Sequence, residues 1–353
     1  MFASIHRPYT PFGTASLIVV LVFALSSVAG ETRASGSGSK PVPARTAAIF
    51  ISVHDVTPKR ADPSTSGPGD PNLAMVGPAN RWNGDLFVFL SGTGGRPSCC
   101  RLLLRQAAME GFHVIGLTYN NQTAVGARCQ DNLGCYGTVR HNIFDGSYRS
   151  TDSSLPPQDG VEHRLAAVVG YLTRHHHLEG WGQFVNGYLP VYARMVFGGH
   201  SQGGGEAAFI GSIRPLVGVV TFSSPPDTNS AHHAATWLTA VAHGRTPLGR
   251  YIAFVHSGDP FYPRIVADWQ AMGLSRFGPI TNVDSAGPPY GHSHQLLSST
   301  ALPHVVLASH DSTAVSNATP LCANGAPKYA PVWRTMLDVA AGLPVPSTAP
   351  GCA

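Results

Sequence analysis

The sequence predicts an α/β protein, and three observations point there. The first is Met195-Val196-Phe197-Gly198-Gly199-His200-Ser201-Gln202-Gly203-Gly204-Gly205, an apolar run ending in a serine set among glycines and continuing into Glu206-Ala207-Ala208-Phe209-Ile210. It reads as strand, sharp turn and helix. The second is a strand at Leu86-Phe87-Val88-Phe89-Leu90, a helical segment over residues 100–110, and a strand at His113-Val114-Ile115-Gly116-Leu117-Thr118-Tyr119, with a spacing that suits a parallel pair. The third is the balance of the chain, 43% hydrophobic and only 12% charged over 353 residues, which supports a large buried core over disorder. Sheet-plus-helix enzymes often run this long as one unit, so a single domain over residues 47–353 is expected.

The chain begins with His6 and Arg7, an apolar stretch from Ala15 to Leu25, and the small-residue sequence Ser26-Ser27-Val28-Ala29-Gly30. That order is a signal peptide over residues 1–29, with cleavage after Ala29; the apolar core is short for a membrane span, and an uncleaved anchor is the alternative. The expected product is secreted or periplasmic, with no stable membrane span after cleavage. Residues 30–46, rich in Ser, Gly and Pro, read as a flexible leader. A first strand is expected at residues 47–53, and the Pro/Gly/Ser-rich residues 57–81 read as a long surface loop.

The run Leu86–Leu90 ends in Ser91-Gly92-Thr93-Gly94-Gly95, a glycine turn with backbone N–H groups to spare. A Walker phosphate loop would need Gly-Lys-Ser/Thr, and the lysine is missing. Residues 139–146 read as a helix end. Val161, Leu165, Val168, Val169 and Leu172 mark a helix over residues 160–175 that should pack on the sheet. His175, His176 and His177 fall where that helix stops, a position the macrodipole favours for histidine, so no metal role is assigned to them. Further strands are expected at Leu216-Val217-Gly218-Val219-Val220-Thr221-Phe222, at Arg250-Tyr251-Ile252-Ala253-Phe254-Val255-His256 and, as the last, at Ile280-Thr281-Asn282-Val283, with a helix over residues 232–243. In an open parallel sheet the carboxyl ends of strands form the ligand rim, which would gather Ser91–Gly95, Ser201, Asp227 and Asp259.

The net charge of +4 is slight and forms no basic stripe, which excludes a nucleic-acid partner. Six cysteines in an exported chain should pair. Cys129 and Cys135 close a short loop and are the best pair; Cys322 and Cys352 would pin the C-terminal tail as a second. Cys99 and Cys100 are adjacent and remain unexplained. With no Cys-x-x-Cys spacing, a zinc site of the usual kind is not expected, and no metal or organic cofactor is. The sequons at Asn121 and Asn317 read as incidental.

Ser201 is the candidate nucleophile. A serine at a strand-to-helix turn is held in strained backbone geometry with its hydroxyl exposed, and Gly199 and Gly203 leave room where a Cβ would collide. With 39 glycines in the chain the Gly-x-Ser-x-Gly pattern is weak alone, and its strand and helix surroundings decide it. The segment Gly199-His200-Ser201-Gln202-Gly203-Gly204 resembles the nucleophile elbow of the α/β-hydrolase superfamily, with similarity from about residue 49 to about residue 345. The resemblance implies a mostly parallel central sheet flanked by helices on both faces and a triad in the order serine, acid, histidine. The turn after Leu90 resembles the His-Gly-x-Gly turn of lipases with Ser91 in place of the histidine, and the two oxyanion donors would be the amides of Thr93 and Gln202.

The serine needs an imidazole to take its proton, and the imidazole needs a carboxylate on its other nitrogen. Asp259, leaving a strand in a Gly-Asp-Pro turn where the resemblance would place the acid, is the first choice, and Asp227 is the rival. Either could instead be an Asx turn. Among His292, His294, His304 and His310, the last is preferred: it begins a small polar loop, His310-Asp311-Ser312-Thr313-Ala314, that resembles the histidine loop near the C-terminus of similar hydrolases. The resulting expectation is a secreted serine hydrolase cleaving carboxylic esters through an acyl-enzyme, acting on a small-molecule or lipid-like ester. A serine peptidase of the same fold and a non-catalytic binding protein on the same scaffold are the alternatives.

Overall fold

The computed structural model describes residues 50–303, 305, 307–347 and 352. The expected signal peptide and leader, the start of the expected first strand and His304 lie outside the described residues. Residues 48–353 form one compact unit.

Its strands are β1 (Ser52–Val56), β2 (Asn72–Val76), β3 (Leu86–Leu90), β4 (His113–Leu117), the small pair β5 (Val185–Asn186) and β6 (Leu189–Pro190), β7 (Met195–His200), β8 (Gly218–Phe222), β9 (Tyr251–His256), β10 (Thr281–Asn282) and β11 (Gln295–Ser298). Its helices are α1 (Pro58–Ala61), α2 (Arg101–Met109), α3 (Val125–Cys129), α4 (Cys135–Asp145), α5 (Val161–His175), α6 (Gln202–Ile213), α7 (Tyr262–Met272), α8 (Ala308–Asp311) and α9 (Ala330–Ala341). Among the described residues the main sheet has nine strands in the order β1-β2-β4-β3-β7-β8-β9-β11-β10. It is antiparallel only at β1–β2 and β2–β4; every pair from β4 to β10 is parallel. This is the α/β-hydrolase fold.

The central strands are buried on both faces, which is why they read as unbroken apolar runs. Their side chains alternate between two cores. Phe87, Phe89 and Val196 pack with Leu103 and Leu104 of α2 and Trp333 and Met336 of α9; Leu86, Val88, Leu90 and Phe197 pack with α4, α5, α6 and α7.

Several elements differ from expectation. Residues 57–81 are not a plain surface loop: they hold α1 and the fully buried β2, which pairs with both β1 and β4. Leu73-Ala74-Met75-Val76 is apolar enough to be a strand, but with Asn72 it only fills the five residues between Pro71 and Gly77. The first strand sits later than expected, at Ser52–Val56. Residues 139–146 belong to a full helix, α4, closed by Gly146 in the left-handed conformation. The helix expected over 232–243 is a 3-10 segment, Thr236–His243. Thr281–Asn282 is an edge strand and not the last: Gln295–Ser298 follows it and inserts between it and β9. Helices α7 and α9 are not among the elements expected from the sequence.

Cys129 and Cys135 are joined by a disulfide, as are Cys322 and Cys352. No described helix is long and apolar enough to cross a membrane.

Candidate functional site

The turn from β7 into α6 sets the centre of the site. Ser201 has φ 53° and ψ −122°, a region that non-glycine residues enter only when the surroundings force them. The surroundings do. Its amide donates to the Phe222 carbonyl of β8 at 2.9 Å, and its own carbonyl accepts the Gly204 and Gly205 amides and the Ser224 hydroxyl. A Cβ on Gly199 would lie 2.2 Å from the Gly203 carbonyl carbon, and one on Gly203 would lie 2.0 Å from the Leu90 oxygen. Glycine at both positions lets strand, turn and helix pass at this distance.

Ser201 opens into a pocket of about 550 Å³, lined also by Gly92, Thr93, Gln202, Phe261 and His310. His310 lies in α8, buried, with Nδ1 2.8 Å from Asp259 Oδ2. The other Asp259 oxygen accepts the Phe261 amide at 2.8 Å, so the carboxylate both closes an Asx turn just before α7 and faces the imidazole. The Asx turn and the partner of a histidine are therefore one residue, not alternatives. Among the described residues nothing hydrogen-bonds to the Ser201 hydroxyl.

Thr93 and Gln202 come together across the same pocket, Thr93 Oγ1 donating to Gln202 Oε1 at 2.8 Å. The Gln202 amide opens α6, where an N–H has no intrahelical acceptor. On the early loop the next two amides are occupied, Gly94 N–H by the Asn121 carbonyl and Gly95 N–H by the Gly92 carbonyl, and the Asn121 side chain donates to the carbonyls of Gly92 and Gly95 at 2.7 and 2.9 Å. Asn121 is thus a buried brace for the loop, with its amide nitrogen committed.

The rival residues are placed otherwise. Asp227 lines the pocket but is gripped by Arg140, whose Nε and one terminal nitrogen each donate to it at 2.6 Å, and by Trp237 Nε1 at 2.9 Å. Among the described residues it bonds to no histidine. The same guanidinium reaches Glu206 at 3.3 Å and the Gln202 carbonyl at 3.1 Å, bracing α6 from below. Burial raises the Glu206 carboxyl to about 8 against the pull of Arg140, and burial and the Asp227 charge hold Asp268 protonated well above the usual carboxylate range. His292 is exposed in a turn; His294 is buried, bonded to the Tyr251 carbonyl at 2.7 Å and stacked on Phe277, just before the amino end of β11, whereas Ser201 follows the carboxyl end of β7.

Two residues that sequence reasoning missed steady the histidine. His200 Nε2 and Ser223 Oγ both donate to the His310 carbonyl, at 3.0 and 2.7 Å. Burial, with the His310 ring beside it, pushes the His200 imidazole down to about 3, so it is a neutral donor. The signal was present in its position directly before the serine, but nothing in the spacing linked it to residue 310.

No protein-family model matches the chain, and no curated protein matches it. Among solved structures, a putative dienelactone hydrolase from Klebsiella pneumoniae subsp. pneumoniae is 12% identical with a TM-score of 0.39, over 76% of this chain and 93% of that one. A dienelactone hydrolase from Anabaena variabilis is 15% identical with a TM-score of 0.35, over 71% of this chain and 86% of that one. Likeness at this level adds nothing to what the strand order and the site geometry say by themselves.

Proposed function

We propose that this protein is an exported serine hydrolase that cleaves carboxylic esters, with Ser201 as nucleophile, His310 as general base and Asp259 as the acid that orients it. The observation that carries the reading is the His310–Asp259 pair at 2.8 Å in the same pocket as a serine held at φ 53°.

In this reading His310 Nδ1–H is fixed on Asp259, which leaves Nε2 unprotonated and able to take the Ser201 proton as the hydroxyl attacks the ester carbonyl. The carbonyl oxygen becomes an oxyanion, and the Thr93 and Gln202 amides are the donors that receive it. His310 then returns the proton to the leaving alcohol, and water repeats the sequence on the acyl-enzyme. Asp259 stays ionised throughout and stabilises the imidazolium. The signal sequence and the two disulfides support export.

The test is hydrolysis of short-chain aryl esters by the purified chain beside Ser201→Ala. The wild type should turn the ester over and Ser201→Ala should fall at least about a thousandfold. Equal rates for the two preparations would overturn the proposal.

A further inference from the structure

The adjacent cysteines have a place in this pocket. They end the 3-10 turn Pro97–Cys100 that leads into α2, with Cys99 in the pocket wall and Cys100 fully buried behind it. Their Sγ atoms are 2.6 Å apart, between a covalent sulfur–sulfur bond of about 2.05 Å and van der Waals contact of two unbonded sulfurs. The other four cysteines are joined in two separate bonds, so among the described residues these two have only each other as partners. The turn also touches the segment that follows the histidine: the Cys99 carbonyl accepts the Ser316 amide at 2.8 Å, and Ser316 Oγ accepts the Leu102 amide at 3.0 Å.

We propose that Cys99 and Cys100 form a reversible disulfide between neighbouring residues, a modification site in the wall of the Ser201 pocket that exchanges with small-molecule disulfides and thiols. Their environments divide the work. The hydrogen bond from Cys100 holds the half-buried Cys99 thiol below its usual range, while burial pushes the Cys100 thiol well up. The Cys99 thiolate attacks one sulfur of oxidised glutathione, breaking that disulfide and releasing one glutathione thiolate. Cys100, giving up its proton, then attacks Cys99 Sγ in the mixed disulfide and expels the second glutathione. Two protein thiols are oxidised, one glutathione disulfide is reduced to two thiols, and the two protons pass to the leaving thiolates.

Neighbouring Cα atoms are only about 3.8 Å apart across a trans peptide, short of the ~4.4–6.8 Å that relaxed disulfides span. A bond between them is strained and belongs to the easily reduced, responsive class. It closes almost no loop, so it adds little by chain entropy, unlike Cys322–Cys352 with its separation of 30 residues. Its role is local, setting the rigidity of the turn that the segment after His310 leans on and removing the S–H that faces Ser91 Oγ at 3.9 Å.

The test uses the full chain, incubated with oxidised or with reduced glutathione, alkylated with iodoacetamide and mapped by peptide mass. After oxidised glutathione the peptide holding both cysteines should be unalkylated and two hydrogens lighter. After reduced glutathione it should carry two alkyl groups while Cys129–Cys135 stays closed. In Cys100→Ala, glutathione should accumulate on Cys99. Alkylation of both thiols after oxidation, glutathione retained on Cys99 of the wild type, or opening of Cys129–Cys135 before this pair would each overturn the proposal. The wild-type mapping stands whether or not the variant folds, and none of these readings depends on the hydrolytic function.

Discussion

In the proposed mechanism the two ring nitrogens of His310 have different tasks, and the variants around them separate catalysis from support. Nδ1 is committed to Asp259, so Asp259→Asn leaves the ring in place but favours the wrong tautomer; turnover of an aryl ester should fall by about ten-thousandfold with unfolding unchanged within experimental error. His310→Ala should lose about a thousandfold or more. Asp227→Ala should do the opposite: it strands the fully buried Arg140 guanidinium, so urea unfolding should show a loss of about 3–5 kcal/mol, read against an Asp259→Asn control. If Asp227→Ala instead spares stability and abolishes turnover, the acid has been misassigned. Asp227 and Asp259 look alike in the sequence because both follow strands. What divides them is Arg140, 87 residues before Asp227, and no local pattern carries that contact.

At the scale of elements, the elbow is the part that glycine makes possible. Gly203→Ala would drive a methyl group into the Leu90 carbonyl, forcing β3 and α6 apart; we expect a cost of about 3 kcal/mol, as for overpacked cores, together with loss of ester hydrolysis. Gly69→Ala, which meets nothing within 4 Å, is the matched control and should be nearly neutral in thermal unfolding. The elbow and the parallel strands were legible because burial on both faces writes itself as an unbroken apolar run, and the strained turn as serine among glycines. β2 was not, since its short apolar run is flanked by Pro and Gly that otherwise mark loops. β11 was legible only in part: Gln295-Leu296-Leu297 has the pattern of a strand packing outward, whereas the side chains of this strand are largely buried. Nor was α9 read as a helix, although Trp333, Met336, Leu337 and Ala340 follow helical spacing.

For the molecule as a whole, buried neutral histidine links folding to pH. The His200 imidazole titrates near 3 when folded and at its ordinary 6.5 when not, so between those values the unfolded chain holds the extra proton. The stability this contributes is complete above about pH 6.5 and is lost as pH falls towards 3, at about 1.4 kcal/mol per pH unit for one proton. Urea midpoints measured from pH 7 down to pH 4 should therefore fall, and His200→Gln, which keeps a side-chain N–H for the His310 carbonyl, should fall less steeply. An identical slope for the two proteins would remove His200 from the account. At the other end of the chain, the Cys322–Cys352 bond encloses α9, whose Val332, Trp333 and Met336 are buried in the core. A protease that cuts once between those cysteines severs the backbone without releasing a fragment, so clipped protein should migrate as one piece on a gel until a reductant is added.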